Sequence, residues 1–196
     1  MKTLINTIYE RRAVRSYQNM PVDRLLIEKV IDAGRMAPSA LNRQPWRFYI
    51  LTNPKDIYDF SVEIGWIATR EINKIDPQDA LNKGIGLFKL SHQVDFYKQD
   101  DIVFHNAPVV IFISVPKDNK WAILDAGMCA QNIMLAAKAI GLDTCPVGLG
   151  HFVTNTLVYS RLNVPDSETI VLAIVLGYGA ETPKVHERVK NNVVFI

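Results

Sequence analysis

The sequence predicts a single α+β domain of 196 residues. Two apolar runs, 107–115 and 170–176, are rich in Val and Ile and have no polar alternation, which is typical of strands covered on both faces. Residues 121–140 are apolar nearly all round, which indicates a helix buried in the core or at a subunit interface. We therefore expect at least three buried strands with helices on both faces of the sheet, in a chain long enough for a sizeable core.

The first part of the chain predicts three helices and one strand. A short helix over 3–10 is followed by an arginine-rich segment, and Asp23 can cap a second helix that ends near residue 36. An apolar strand over 48–51 ends at an Asn-Pro pair. Apolar residues then recur at helical spacing over 55–70.

Residues 70–100 predict a divergent excursion near the functional site. The segment is polar and broken by Pro77, Gly84 and Gly86, yet it carries several aromatic side chains. Two readings fit: a lid that packs over something, or a surface insertion whose aromatics pack into the body.

The last part of the chain predicts two strands, a glycine-rich turn and a helix. Residues 144–150 form a short strand and the turn, a helix covers about 155–162, and a strong strand covers 170–176. The tail is polar until residues 193–196, which are apolar and β-prone and have no obvious partner inside their own chain.

Composition excludes several classes of protein. The net charge of +2 favours neither nucleic acid nor a membrane surface as a partner. The first residues do not resemble a signal peptide, and no apolar run reaches the length of a membrane span. Cys129 and Cys145 lie in apolar surroundings, so buried thiols in a reduced, cytoplasmic protein are the main expectation and a disulfide is the lesser alternative.

The sequence offers no side-chain machinery for hydrolysis or acyl transfer. The four histidines are isolated from other metal ligands, and no Gly-x-Ser-x-Gly, P-loop or complete Gly-x-Gly-x-x-Gly motif is present. Cys145 has no basic neighbour in sequence and is better explained as a structural thiol than as a nucleophile. This absence suits an enzyme whose reactive atoms belong to a cofactor, with no metal and no catalytic side chain.

Two segments could bind such a ligand. Residues 35–48 place Ser39, Asn42 and Gln44 between two prolines, which suits either a ligand rim or a well-capped helix-to-strand turn. Residues 11–15 hold three arginines, which suits either an anion site or a solvated run of charge.

Together these segments resemble the nitroreductase family of FMN-dependent oxidoreductases. The motif Ala-Pro-Ser-x-x-Asn-x-Gln-Pro-Trp is complete over 37–46, whereas the arginine motif departs at Ala13, where a hydroxyl residue is usual. The strand at 107–111, the Asp-x-Gly-x-x-x-Gln-Asn helix at 125–132, the Pro-Val-Gly turn at 146–148, the Leu-Gly-Tyr at 176–178 and the tail also have family counterparts.

The resemblance implies a three-layer fold with a central, mostly antiparallel sheet flanked by helices and a C-terminal strand exchanged with the partner subunit of a homodimer. It implies FMN as cofactor, with its phosphate and ribityl chain near the arginines, its ring near the 38–42 loop, and a backbone N–H near Gly148 facing flavin N5. The positions that match the family's cofactor contacts are Arg11, Arg12, Ala13, Arg15, Pro38, Ser39, Ala40, Asn42, Gln44, Pro146, Val147, Gly148, Leu149, His186 and Arg188.

The activity that the resemblance implies is a ping-pong transfer of hydride from NAD(P)H through the flavin to a small electrophilic acceptor, such as a nitroaromatic compound or a quinone. Specialised flavin reductases and reductive dehalogenases are alternatives within the enzymes. A flavin-binding redox sensor without turnover is an alternative of a different class, which the change at Ala13 leaves open.

Overall fold

A computed structural model describes residues 3–73 and 101–196 of the chain. The helices in these residues are α1 (Leu4–Glu10), α2 (Arg24–Arg35), α3 (Pro54–Asn73) and α4 (Ala122–Ala139). The strands are β1 (Arg47–Leu51), β2 (Val109–Pro116), β3 (Asp143–Val147) and β4 (Glu168–Gly177). Three 3₁₀ segments are Ala40–Asn42, Gly148–Asn155 and Leu157–Leu162.

The four strands form one sheet in the order β1-β2-β4-β3, and every neighbouring pair is antiparallel. The two long apolar runs of the sequence are the two central strands, as expected from their lack of polar alternation. A register shift between Ile113 and Ser114 interrupts the pairing of β2 with β4. The expected α+β class and antiparallel sheet are confirmed.

The sheet separates two apolar layers, because alternate residues of a strand point to opposite faces. Ile111 and Ile113 of β2 pack in the layer that contains α2 and α4. Val110 and Phe112 pack in the layer that contains α3 and the two later 3₁₀ segments. Helices therefore cover both faces, as predicted.

Helix α2 begins where the sequence predicts it to begin. The Asp23 carboxylate accepts the Leu25 N–H at 2.8 Å, which satisfies one of the free donors of the first turn. At the other end, a Cβ on Gly34 would lie 2.6 Å from Ile133 Cγ1 on α4. Only a glycine lets the two helices approach this closely.

The helix predicted over 155–162 is wrong in type, since the structure has 3₁₀ turns there. Thr156 is extended (φ −95°, ψ 157°) and separates two 3₁₀ segments, so no continuous α-helical ladder can form. The Glu63 carboxylate accepts the Leu157 N–H at 2.6 Å and thereby gives a hydrogen-bond partner to a donor at the start of the second segment. Likewise, the turn predicted after β3 begins the 3₁₀ segment Gly148–Asn155.

Helix α4 is buried along one side only. Ile123 and Leu124 are 65% and 57% exposed, so the apolar surface that the sequence predicted to be covered is open in the single chain. Residues 181–196 form no helix or strand, and the apolar residues 193–196 are exposed. Most of the predicted excursion, from residue 74 to 100, lies outside the described residues. None of the helices described on either side of this gap has the length and apolarity needed to cross a membrane.

Candidate functional site

The arginine segment lies along the outer edge of β3. Ala13 forms a parallel bridge with Thr144, and the Val14 N–H donates to the Thr144 carbonyl at 3.1 Å. These contacts extend the sheet by a short piece of backbone beyond its edge strand. They also bring residues 11–15 beside Cys145, which is far away in sequence.

The start of the tail holds the same segment from its other side. The Gln18 N–H donates to the Tyr178 carbonyl, and the Ala180 N–H donates to the Ser16 carbonyl, both at 2.8 Å. The Glu181 carboxylate accepts the Arg15 N–H. The arginine segment is therefore fixed between β3 and the tail by main-chain hydrogen bonds.

The guanidinium groups of Arg12 and Arg188 lie close enough to Arg11 for their charges to act on it. The charge of Arg15 acts together with that of Arg11 on Cys145. Burial, the charge of Arg12 and the charge of Arg188 together lower the pKa of Arg11 below its usual value, which shows that like charges crowd this group. Arg12 donates through Nη1 to the carbonyls of Tyr9 and Arg11 at 2.6 Å, while its buried Nε has no hydrogen-bond partner. We call Arg11, Arg12, Arg15 and Arg188 the arginine corner.

The arginine corner is suited to an anion with several oxygen atoms. Crowded cations with an unused donor are unfavourable by themselves and become favourable when phosphate oxygens accept from them. The proximity of a distant arginine from the tail is more than a solvated run of charge requires, and the anion site at residues 11–15 stays a prediction.

Cys145 and His105 lie close enough to the arginine corner to feel its charge. Burial raises the pKa of the Cys145 thiol, although Arg15 and Arg11 oppose this shift. Burial also lowers the pKa of His105. The thiol is thus protonated near neutral pH, which supports its reading as a structural group although basic residues are near it in space.

The Pro-Val-Gly turn follows on the same edge of the sheet. Val147 is buried, whereas Pro146 and Gly148 are exposed, and a Cβ added at Gly148 would meet nothing within 4 Å. A Cβ at Gly150 would lie 2.4 Å from that of Ala173. The fold of the single chain therefore requires glycine at 150, and it leaves open space at 148.

The 38–44 segment, which we call the loop corner, precedes β1 and has an unusual backbone. Leu41, Asn42 and Gln44 have positive φ values of 54°, 53° and 46°, a region that residues with a Cβ occupy at a cost. The Ser39 hydroxyl accepts the Gln44 N–H at 2.9 Å, and the Gln44 amide donates to Asn42 Oδ1 at 3.2 Å. A simple helix-to-strand turn needs no such strain, so the geometry favours the ligand-rim reading.

Two side chains of α4 contact the α2 end and the loop corner, and the sequence did not assign them a role. Asp125 is 2% exposed, and both of its carboxylate oxygens lie 3.3 Å from the Ala40 nitrogen. The Asn132 amide donates to the Ala33 carbonyl at 3.2 Å. The available signal was a carboxylate and an amide seven positions apart in a largely apolar helix.

The two corners lie at opposite ends of a diagonal across the sheet. β1 and β3 are separated by three steps of about 4.8 Å, roughly 14 Å in all. Through Leu176, Thr144 is level with Val109, whereas Arg47 is level with Ser114, five residues or about 17 Å further along β2. One chain therefore does not bring the predicted site residues together.

The predicted residues fall into two groups and one outlier. Arg11, Arg12, Ala13, Arg15, Arg188 and the 146–149 turn belong to the β3 edge. Pro38, Ser39, Ala40, Asn42 and Gln44 belong to the loop corner. His186 is exposed on the tail, and its carbonyl accepts from Arg188 Nη1 at 2.8 Å.

The chain is a three-layer α+β protein: an antiparallel sheet lies between two layers of helices. It has an arginine-rich sheet edge and a strained loop that precedes β1. Residues 8–178 match the model of the nitroreductase family, so the chain is a member of that family. The resemblance drawn from the motifs is confirmed.

Individual relatives agree with this assignment. A 4-nitrobenzoate reductase from Pseudomonas putida is 33% identical, with 91% of this chain and 86% of that protein covered. A chloronitrobenzene nitroreductase from Comamonas testosteroni is 28% identical, with 92% and 88% covered. The crystal structure of a nitroreductase with bound FMN from Desulfitobacterium hafniense has a TM-score of 0.78 and 22% identity, and covers 100% of this chain and 99% of that one. The expected nitroreductase-like fold is thereby confirmed.

Proposed function

We propose that the protein is an FMN-dependent oxidoreductase that takes hydride from NAD(P)H and reduces a small electrophilic acceptor, such as a nitroaromatic compound or a quinone. The observation that carries the proposal is the arginine corner, where Arg11, Arg12 and Arg188 crowd together and a buried donor is unused. Relatives named as reductases of nitroaromatic compounds, and fold neighbours solved with FMN, support the same chemistry.

The arginine corner fits the terminal phosphate of FMN. A dianion would accept from several guanidinium groups and offset both the burial and the like charges that lower the pKa of Arg11. The sequence has no complete Gly-x-Gly-x-x-Gly motif that could hold a second phosphate. We therefore propose FMN and not FAD.

The turn after β3 and the loop corner fit the flat ring. The open space at Gly148 lets a ring approach the main chain closely, and the loop corner presents the polar groups of Ser39, Asn42 and Gln44. A bound flavin supplies hydride acceptance and donation at N5, and the chain supplies binding, orientation and exclusion of water. No side chain has to exchange a proton in this account.

A homodimer reconciles the two separated corners. The arginine corner of one subunit and the loop corner of its partner would together enclose one cofactor, and symmetry gives two such sites. The exposed Ile123 and Leu124 on α4 provide apolar surface for the contact. The small-molecule acceptor would then enter between the subunits.

The tail is proposed to add a strand to the partner's sheet. The arginine segment occupies part of the β3 edge, whereas β1 pairs only with β2 among the described residues and so leaves its other edge open. The residues beyond Arg188, 189–196, could span about 26 Å when extended, enough to reach an adjoining subunit. Residues 193–196 would then gain main-chain partners and bury their apolar side chains.

The colour of the purified protein tests the proposal. We expect a yellow protein from which acid releases FMN, and we expect NADH or NADPH to bleach the bound flavin under anaerobic conditions and 4-nitrobenzoate to restore the colour. A colourless protein that does not bind added FMN would contradict the assignment. A flavin that binds but is not bleached by either nucleotide would contradict turnover and favour a redox sensor.

A further inference from the structure

The loop corner depends on α4 for its attachment. Asp125 and Asn132 are seven residues apart, so they lie two turns apart on the same side of the helix. Asn132 holds the last turn of α2 through the Ala33 carbonyl, and Asp125 holds the N–H of Ala40, seven residues after Ala33 in the chain. One face of α4 thus contacts both the end of α2 and the loop that follows.

The contact at Asp125 is distinct among the bonds of this loop. In the part of the chain that the structure describes, the other hydrogen bonds of residues 39–44 are made within the loop, and the Ala40–Asp125 pair connects it to another element. Leu41, Asn42 and Gln44 hold positive φ values that the chain would leave if it were free to relax. A loop with three such residues needs an external anchor to stay in one conformation.

Asp125 has the properties of such an anchor. Its carboxylate is 2% exposed in the first turn of α4, where the free N–H groups of the helix favour a negative charge. A buried carboxylate is retained only where it accepts hydrogen bonds, because losing water costs several kcal/mol. The Ala40 N–H supplies one of them, shared between the two oxygens at 3.3 Å.

We propose that Asp125 is a positioning residue: through the Ala40 N–H it fixes the conformation of the loop that faces the flavin ring and the second substrate. The part that concerns the flavin rests on the proposed function. The part that concerns the loop is a property of the chain alone and can be tested separately.

Tryptic cleavage after Arg43 reports the state of the loop, because this arginine is exposed within it. In the full-length protein as purified, we expect Asp125→Leu to be cleaved after Arg43 about tenfold faster than wild type or more, since losing a hydrogen bond to a charged group frees the loop. Asp125→Asn keeps an acceptor oxygen and should restore a rate within a few-fold of wild type. Asn132→Leu is the matched control and should leave cleavage after Arg43 unchanged.

Ala40→Pro removes the same contact by a change in the loop instead of in α4. It removes the N–H without touching α4, and the extended Ser39 before it accepts a following proline. This variant should reproduce the fast cleavage, which keeps the test valid if Asp125→Leu does not fold. Wild-type rates after Arg43 in Ala40→Pro, or in a folded Asp125→Leu, would overturn the positioning role.

The catalytic readout separates this inference from the proposed function. With FMN bound, Asp125→Leu should raise the KM for 4-nitrobenzoate and alter the visible spectrum of the flavin, while Asn132→Leu should change neither. If wild type binds no FMN, the proposed function fails and the cleavage rates still decide the role of Asp125. If FMN binds and Asp125→Leu, like Asn132→Leu, has the wild-type flavin spectrum and the wild-type KM for 4-nitrobenzoate, Asp125 does not position the loop for the ring.

Discussion

Main-chain hydrogen bonds attach the arginine corner to neighbouring elements on both sides. Among the described residues, the hydrogen bond that attaches the loop corner to another element is accepted by a side chain, the Asp125 carboxylate. Residues 13–18 pair with Thr144 on one side and with residues 178–181 on the other. The loop corner relies on the Ser39 hydroxyl and on Asp125 of α4. Main-chain pairing can place charges firmly while the side chains vary, whereas side-chain anchoring makes a loop conformation depend on single residues.

The two corners also store different kinds of unfavourable energy. In the arginine corner the cost is electrostatic and disappears when an anion binds. In the loop corner the cost is backbone strain at three left-handed residues, which remains whether or not a ligand is present. Substitutions in the first corner should therefore act on cofactor affinity with little effect on stability. Substitutions in the second should act on stability and substrate selection as well as on contacts to the flavin.

The largest expected effect comes from deleting residues 187–196. This change removes Arg188 and the apolar end together, so we expect the dimer to dissociate and FMN affinity to fall about a hundredfold or more. Light scattering and flavin titration measure the two losses. Two separate variants sharpen the result: Arg188→Ala should weaken FMN binding in a stable dimer, and deletion of 193–196 should weaken the dimer first. A truncated protein that stays dimeric with full flavin occupancy would show that the tail serves neither purpose.

The next effect is a loss of stability in alkali that depends on Cys129, which packs against Gly34 in the layer beneath the loop corner. Burial raises the pKa of this thiol from 9.0 to about 12. The folded state thus favours the neutral thiol. The resulting contribution to the free energy of unfolding is complete below pH 9. It is lost as the pH rises towards 12, by about 1.4 kcal/mol per pH unit.

Chemical denaturation at several pH values measures this contribution. The free energy of unfolding should fall more steeply with pH in wild type than in Cys129→Ala, because Cys145 and the tyrosines are common to both proteins. If the free energy of unfolding falls equally steeply with pH in the two proteins above pH 9, the Cys129 thiol between α2 and α4 is not shielded from water.

A smaller effect is expected from Arg11→Ala. Loss of one charge-assisted contact should weaken FMN binding by about 1.5–3 kcal/mol, roughly ten- to a hundredfold. The stability of the apoprotein should not fall, since the substitution removes repulsion with Arg12 and Arg188. Arg24→Ala, which changes an exposed arginine of α2 outside both corners, is the control and should alter the FMN dissociation constant by less than about threefold. If the FMN dissociation constant of Arg11→Ala equals that of wild type, Arg11 is a solvated charge and does not bind the cofactor.

The smallest effect is expected at Leu41. This side chain is 85% exposed and has a φ of 54°, so Leu41→Gly should relieve strain and stabilise the protein by up to about 1 kcal/mol. Lys29→Gly, at an exposed position in the middle of α2, should destabilise the protein by about 1 kcal/mol. Thermal unfolding of the two variants gives the signs, and a loss of stability in both would argue against strain in the loop corner.

Local patterns in the sequence were sufficient for most of the fold. The continuous apolar runs predicted β2 and β4, and the Asp23 cap predicted the start of α2, because these signals act over a few residues. The type of helix at 157–162 was not predictable in this way. Apolar spacing does not distinguish a 3₁₀ turn from an α-helical one when the deciding contacts, from Glu63 and Thr156, come from outside the segment.

The sequence proposes the residue types of the candidate site but does not give their geometry. The motifs indicated the arginines and the polar loop, but the pairing of residues 13–18 with β3 and the tail depends on register between distant segments. Asp125 was visible in its motif, yet its role follows only from its contact with Ala40. The separation of the two corners across the sheet was likewise not readable from their spacing along the chain.

Subunit complementation tests most directly whether the two corners meet across a dimer. One subunit would carry Arg11→Ala and Arg12→Ala, and the other would carry Ser39→Ala and Asn42→Ala, with different affinity tags for isolation of the mixed dimer. If each site combines the arginine corner of one chain with the loop corner of its partner, the mixed dimer contains one intact site, and it should bind one FMN per dimer with wild-type affinity. If each site lies within a single chain, the mixed dimer contains no intact site, and FMN titration as weak as that of the two parent variants would contradict the account.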